Sequence, residues 1–198
     1  MSIVIGITGG VGCGKSTVLD VLKNKYSAAV IEADKVGHTV MEKGTDAYYQ
    51  ILDCFGDQIL DDNDNIDRKK LGAIVFADES LLMKLNNIIH PAVKSFIKAF
   101  IEHEKSKGTG LIIVEAALLI EAGYRDICDY FWYIYVEIEK RISRLMESRG
   151  YTLEKIHQIM NNQLSEKEFR DNTDDVIDNN GDLNDLVLSI DEKLSKII

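Results

Sequence analysis

Proline and cysteine are scarce in this 198-residue chain, which has one of the first and three of the second. Cys13, Cys54 and Cys128 are odd in number, widely spaced and without a Cys-x-x-Cys pair. That argues against a disulfide framework or a zinc site and fits a reducing cytoplasm. No basic stretch leads into an apolar one at the start, MSIVIGITGG, so no signal peptide is expected. The most apolar run, Leu111 to Ile120, is broken by Glu115 and is too short to span a bilayer. Positive charge is in deficit: 33 Asp and Glu against 23 Lys and Arg give a net charge of −10. Such a balance repels nucleic acid and anionic membranes, and nothing in the chain implies a protein partner. There is no repeat, no low-complexity tract and no obvious linker. The 45% of hydrophobic residues suffices for a real core, and the length suits one domain with a smaller insertion.

Local patterning separates strands from helices. Ser2 to Thr8 is a β-branched run that should form a strand, and Ser16 to Lys25 then has the pattern of a helix. Ala28 to Ile31 predicts a second strand, ending at Glu32-Ala33-Asp34. Residues 35 to 107 carry helical patterns, punctuated by the acidic loop Asp57 to Asp67. Leu111 to Val114 and Phe131 to Val136 are continuous apolar runs, as strands buried on both faces should be. Val176-Ile177 suggests the centre of a last strand. Helices are expected at about 139 to 149, 153 to 162 and 183 to 197. Strands alternating with helices imply an α/β fold with a parallel sheet covered on both faces, and the helical stretch after the second strand suggests an inserted substrate-side subdomain.

Residues 9 to 16 are Gly9-Gly10-Val11-Gly12-Cys13-Gly14-Lys15-Ser16, a full match to G-x-x-x-x-G-K-[ST]. The glycines let the backbone turn so that successive N–H groups converge on phosphate oxygens. Lys15 would set an ammonium against the β- and γ-phosphates of a nucleotide, and the Ser16 hydroxyl would ligate Mg²⁺. The helix beginning there adds its positive end. A chance glycine-rich turn would not need to fall, as this one does, between a strand and a helix.

Two acids stand at ends of expected strands, where ligands of parallel sheets bind. Asp34 could take the proton of an acceptor hydroxyl, and Glu115 could hold a water on Mg²⁺; either could equally be a helix cap or a solvated loop acid. Glu32 has nothing to rank it above a surface acid. Of only six arginines, four are Arg141, Arg144, Arg149 and Arg170, which suggests an anion site or a phosphate-facing lid rather than ordinary i,i+4 pairing. His38 and His90 have no metal-ligand spacing and are left to cap, pack or touch substrate. His103 and His157 should face solvent. The run Tyr130-Phe131-Trp132-Tyr133 suits strand core better than a base-stacking platform. Cys13, beside a helix end, would be reactive if its pKa were lowered there.

Taken together, the chain resembles the dephospho-CoA kinases from Ile5 to Leu183. The resemblance rests on Gly6-Ile7-Thr8-Gly9-Gly10 entering the loop, Ala33-Asp34-Lys35 with His38, Arg68 with Leu71 and Val75-Phe76, and Leu85-Asn86 with His90-Pro91 and Val93. It continues through Leu118-Leu119 with Glu121, Arg144, Gln163, Arg170 and Asp174 to Gly181. It implies a P-loop kinase fold: a core of 1–34, 108–138 and 173–198, a helical substrate-binding insertion at about 35–107, and a lid at about 139–172. It also implies transfer of the ATP γ-phosphate to the ribose 3′-hydroxyl of dephospho-CoA, the last step in making coenzyme A. By position, Asp34 resembles the catalytic base and Arg144 a lid arginine acting with Lys15. ATP would be held by Gly9 through Lys15, Ser16 and Thr17, with Asn179 and Gly181 beside the adenine. His38, Arg68 and His90 join Asp34 as positions for the acceptor. The family's usual Asp-Ala-Asp is Glu32-Ala33-Asp34 here, its usual proline before Leu118 is Ala117, and a second lid arginine falls on Ser148. Another small P-loop kinase acting on a nucleoside or nucleoside monophosphate would share the loop and lid. A guanine-nucleotide switch would need Asn-Lys-x-Asp, and the only Asn-Lys, Asn24-Lys25, is followed by Tyr26-Ser27. A nucleic-acid-dependent ATPase is disfavoured by the charge.

Overall fold

β-branched residues open the chain and become β1 (Ile3–Thr8) in the computed structural model, which describes residues 2–197. The glycine loop follows, then α1 (Lys15–Tyr26) and β2 (Ala29–Glu32). Helices α2 (Ala33–Thr39), α3 (Asp46–Phe55), α4 (Arg68–Val75) and α5 (Glu79–Ser106) come next. The chain returns through β3 (Leu111–Glu115), β4 (Tyr130–Tyr135), α6 (Ile138–Arg149), α7 (Leu153–Asn161) and α8 (Glu166–Asp171). It closes with β5 (Asp175–Asp178) and α9 (Leu183–Leu194). None of the described helices is long and apolar enough to cross a membrane.

The five strands form one sheet in the order β2-β3-β1-β4-β5. β1 pairs in parallel with both β3 and β4, and β4 in parallel with β5. Every residue of β3 is buried, so both its faces are covered, as its unbroken apolar sequence implies. Phe131, Trp132 and Tyr133 are buried within β4, which confirms them as strand core.

The chain divides into two compact units. One runs to Val30 and resumes at Glu104; the other is Ile31–His103. In the first, Ile5, Ile7, Ile113, Trp132, Ile134 and Ile177 of the sheet pack with Val18 and Leu22 of α1 and Ile190 of α9. In the second, Ile51, Phe55, Leu71, Val75 and Leu85 gather around Ile59. Each fully buried side chain of this size contributes roughly 1.5–3 kcal/mol.

Three sequence expectations change. Asp34 does not end a strand: β2 stops at Glu32, and Asp34 lies in the first turn of α2. Glu115 does not follow β3 but is its last residue. Between 163 and 172, where no helix was expected, Ser165 and Glu168 form a capping box that starts α8.

Candidate active site

The loop leaves β1 at Thr8, which is fully buried, and enters α1 at Lys15. Gly12 and Gly14 hold φ of 80° and 81°, where a side chain would be strained. Inside the loop the Cys13 N–H donates to the Gly10 carbonyl at 3.2 Å, and the Thr17 N–H to that of Gly14 at 3.1 Å. The N–H groups of Gly12, Gly14 and Ser16 have no acceptor among the described residues, and no side chain caps α1. A cluster of unspent donors thus lies at the positive end of a helix, an arrangement suited to anions.

Lys15 adds charge there. Its Nζ donates to the Gly9 carbonyl at 2.9 Å and lies 3.7 Å from Glu115 Oε1. Cys13 is buried beneath the loop, and burial pushes its thiol pKa up against the opposing influence of Lys15 and Arg141. The condition for a reactive thiol, a lowered pKa, is not met: the helix end and nearby cations are there, but desolvation outweighs them. Ser16 and Thr17 are exposed.

Two of the four clustered arginines meet the loop. Arg141 Nε donates to the Val11 carbonyl at 2.9 Å and its Nη2 to Gln163 Oε1 at 3.3 Å, while the Val11 N–H donates to the same Gln163 oxygen at 3.0 Å. Arg144 Nη2 donates to the Asn179 carbonyl at 3.0 Å, and Asn179 Nδ2 donates to the Cys13 carbonyl at 2.9 Å within the interior. The segment after β5 is therefore tied to the loop through Asn179. Asn180 extends that tie to α6, accepting from the Glu137 N–H at 2.9 Å. Gly181 has the Asp185 carboxylate so close that an added Cβ would lie 2.2 Å from it. The other two arginines are engaged elsewhere. Arg170 pairs with Glu166 at 2.8 Å and covers the Tyr135 ring, and Arg149 lies over Tyr151.

The second unit carries the remaining candidates. Asp34 and His38 are exposed and one helical turn apart on α2, and so share a face. Arg68, at the start of α4 behind the Asp67 cap, brings Nη1 to 3.5 Å from His38 Nδ1. Glu32 is turned to Lys35, whose Nζ lies 2.9 Å away. His90 is exposed on α5, with no hydrogen bond to that group among the described residues. Sequence reasoning left Arg141 and Gln163 out of the site. They are 22 residues apart, and no local pattern links them; only their place in the family resemblance and the arginine cluster drew attention to either.

The chain is similar to known proteins over nearly its whole length. A family model described as dephospho-CoA kinase matches residues 3–185. A dephospho-CoA kinase of Oceanobacillus iheyensis is 37% identical over 196 residues, covering 99% of this chain and 98% of that protein. A crystal structure of a Thermus thermophilus protein superposes with a TM-score of 0.82 at 26% identity, over 100% of this chain and 98% of the other. The dephospho-CoA kinase of Campylobacter jejuni superposes with a TM-score of 0.73 at 25% identity, with the same coverage of both chains.

Proposed function

The chain belongs to the dephospho-CoA kinase family, ATP-dependent enzymes that phosphorylate the ribose 3′-hydroxyl of dephospho-CoA, and we propose how its residues share that reaction. The observation that carries the proposal is the set of unspent N–H donors at Gly12, Gly14 and Ser16, flanked by Lys15 and Arg144. These donors take the β- and γ-phosphate oxygens of ATP. Lys15 exchanges the Gly9 carbonyl for those oxygens, and Arg144 adds a guanidinium where charge spreads over the migrating group. Asn179 and Gly181 flank the adenine, and residues 139–172 act as a lid that limits wasteful hydrolysis.

Asp34 orients the acceptor hydroxyl and receives its proton, while His38, Arg68 and His90 bind the rest of dephospho-CoA. No group of three or more His, Cys, Asp or Glu able to hold a metal occurs among the described residues. Mg²⁺ commonly binds through substrate phosphates with few protein ligands, and the exposed Ser16 hydroxyl, without a hydrogen-bond partner among the described residues, fits that mode. Bound there, the ion would neutralise charge on the β- and γ-oxygens. None of the three cysteines forms a disulfide among the described residues, which supports the reducing cytoplasm as the place of work.

An acceptor panel with Mg-ATP tests the reading: dephospho-CoA, AMP, dTMP, CMP, uridine and adenosine. Transfer to dephospho-CoA should far exceed the rest. Preference for a nucleoside monophosphate would overturn the acceptor while sparing the loop.

A further inference from the structure

Val11 stands at the turn of the loop between two glycines, and both of its backbone polar groups are held by side chains from elsewhere in the first unit. Gln163, just beyond α7, accepts from its N–H at 3.0 Å, and Arg141 of α6 donates to its carbonyl at 2.9 Å. Arg141 also donates to Gln163 at 3.3 Å, which closes a ring of three hydrogen bonds around one residue. The fit is tight. A Cβ on Gly10 would lie 2.2 Å from Arg141 Nη2, and one on Gly12 would lie 3.1 Å from the Arg141 carbonyl and 3.0 Å from Leu145 Cγ.

The Val11 carbonyl and the Gly12 N–H belong to the same peptide. That unit is planar and trans, so the two groups point in opposite directions. Arg141, by holding the carbonyl, therefore fixes where the Gly12 N–H points, and that N–H is one of the unspent donors. Glycine at 12 makes the alternative orientation accessible, because it can turn through either sign of φ. A flipped peptide would present a carbonyl oxygen in place of the N–H.

We propose that Arg141 and Gln163 are positioning residues: together they fix the Val11 peptides and aim the loop donors before nucleotide arrives. The inference rests on the reading that this loop takes the phosphates of ATP. It sets Arg141 apart from Arg144, since its guanidinium serves the loop and not the migrating group. Preorganisation of this kind acts on binding, and ADP benefits as much as ATP because the donors meet phosphate in both.

Calorimetry with ADP and with ATP, alongside steady-state kinetics, tests it. Arg141→Ala and Gln163→Leu should each weaken ADP and ATP by the same factor, about tenfold, as suits loss of hydrogen bonds that include a charged donor. The kcat at saturation should change by less than about threefold. The double variant should be no worse than the worse single one, since both act through one ring. Gln163→Glu keeps the acceptor and should restore nearly full affinity, with Arg141→Lys in between. A kcat loss of about a hundredfold with ADP affinity intact would overturn the proposal and place Arg141 on the migrating group. Unchanged ADP affinity in both single variants, or losses that multiply in the double one, would also overturn it. Melting temperatures check folding, and should Arg141→Ala not fold, the Gln163 variants decide alone. Because ADP binding needs no acceptor, a wild type that ignores dephospho-CoA would sink the proposed acceptor and leave this test standing.

Discussion

Gly14 offers a sharp test of how the loop is packed. It caps α1 in the left-handed region, with φ 81° and ψ 32°, and a Cβ added there would fall 2.4 Å from Asn179 Nδ2. Gly14→Ala therefore meets two separate costs. Holding a non-glycine residue in that conformation costs roughly 1–2 kcal/mol. Displacing the Asn179 amide from the Cys13 carbonyl, where it donates at 2.9 Å in the interior, costs about 1 kcal/mol more. Together these reach about 2–3 kcal/mol, which for a domain of this size lowers Tm by about 4–12 °C. Trp132, the single tryptophan and fully buried, reports unfolding by fluorescence. Gly108→Ala is the control: its φ is 79°, but nothing lies within 4 Å of the added Cβ, so it carries only the conformational cost. The gap between the two variants measures the crowding. Equal destabilisation would refute the claim that Asn179 is packed against the loop.

The acceptor side and the pH dependence of stability can be checked as directly. Asp34→Asn should lower kcat by roughly two to four decades while Mg-ATP affinity changes by less than about tenfold; Glu32→Gln, whose carboxylate is paired with Lys35, should be much milder, and the reverse order would reassign the base. Asp174 is held by Arg125 and accepts from the Phe131 N–H at 2.6 Å, and these partners lower its carboxyl pKa. A depressed folded-state pKa means that its stabilisation is complete above the ordinary carboxylate range, about pH 4, and fades as pH falls through the lower folded value. The Tm gap between wild type and Asp174→Asn should thus hold from pH 7 to about 5 and narrow below about 4; a gap that widens on acidification would contradict this.

Much of the fold was legible because its signals are local. Continuous apolar runs gave β3 and β4 within a residue or so, since a strand covered on both faces has no polar side to mark its period. Less legible were features decided by packing. A proline ordinarily ends a helix, yet Pro91 lies inside α5, where Leu85, Val93, Ile97 and Ile101 are buried along one helix that continues through it. The six residues of α8 are too few to show a helical period, and only the capping box at Ser165 and Glu168 marked them.

The site divides in the same way. The motif from Gly9 to Ser16 announced the loop because the chemistry is written into consecutive residues. It could not announce that Cys13 would be buried, because burial is supplied by chain far from it in sequence. Nor could the clustering of arginines show which of them stand at the loop. Arg170 pairs with Glu166 and lies over Tyr135, Arg149 lies over Tyr151, and Arg141 holds Val11 and Gln163. Arg144 uses one of its five N–H groups on the Asn179 carbonyl, and an added Cβ on Gly14, the residue that caps α1, would lie 3.5 Å from its Nη1. Composition counts cations, but their place in the fold decides which could act on a phosphate: Arg141 and Arg144 stand at the loop, and because Arg141 spends two donors there, Arg144 is the one we propose for the phosphate.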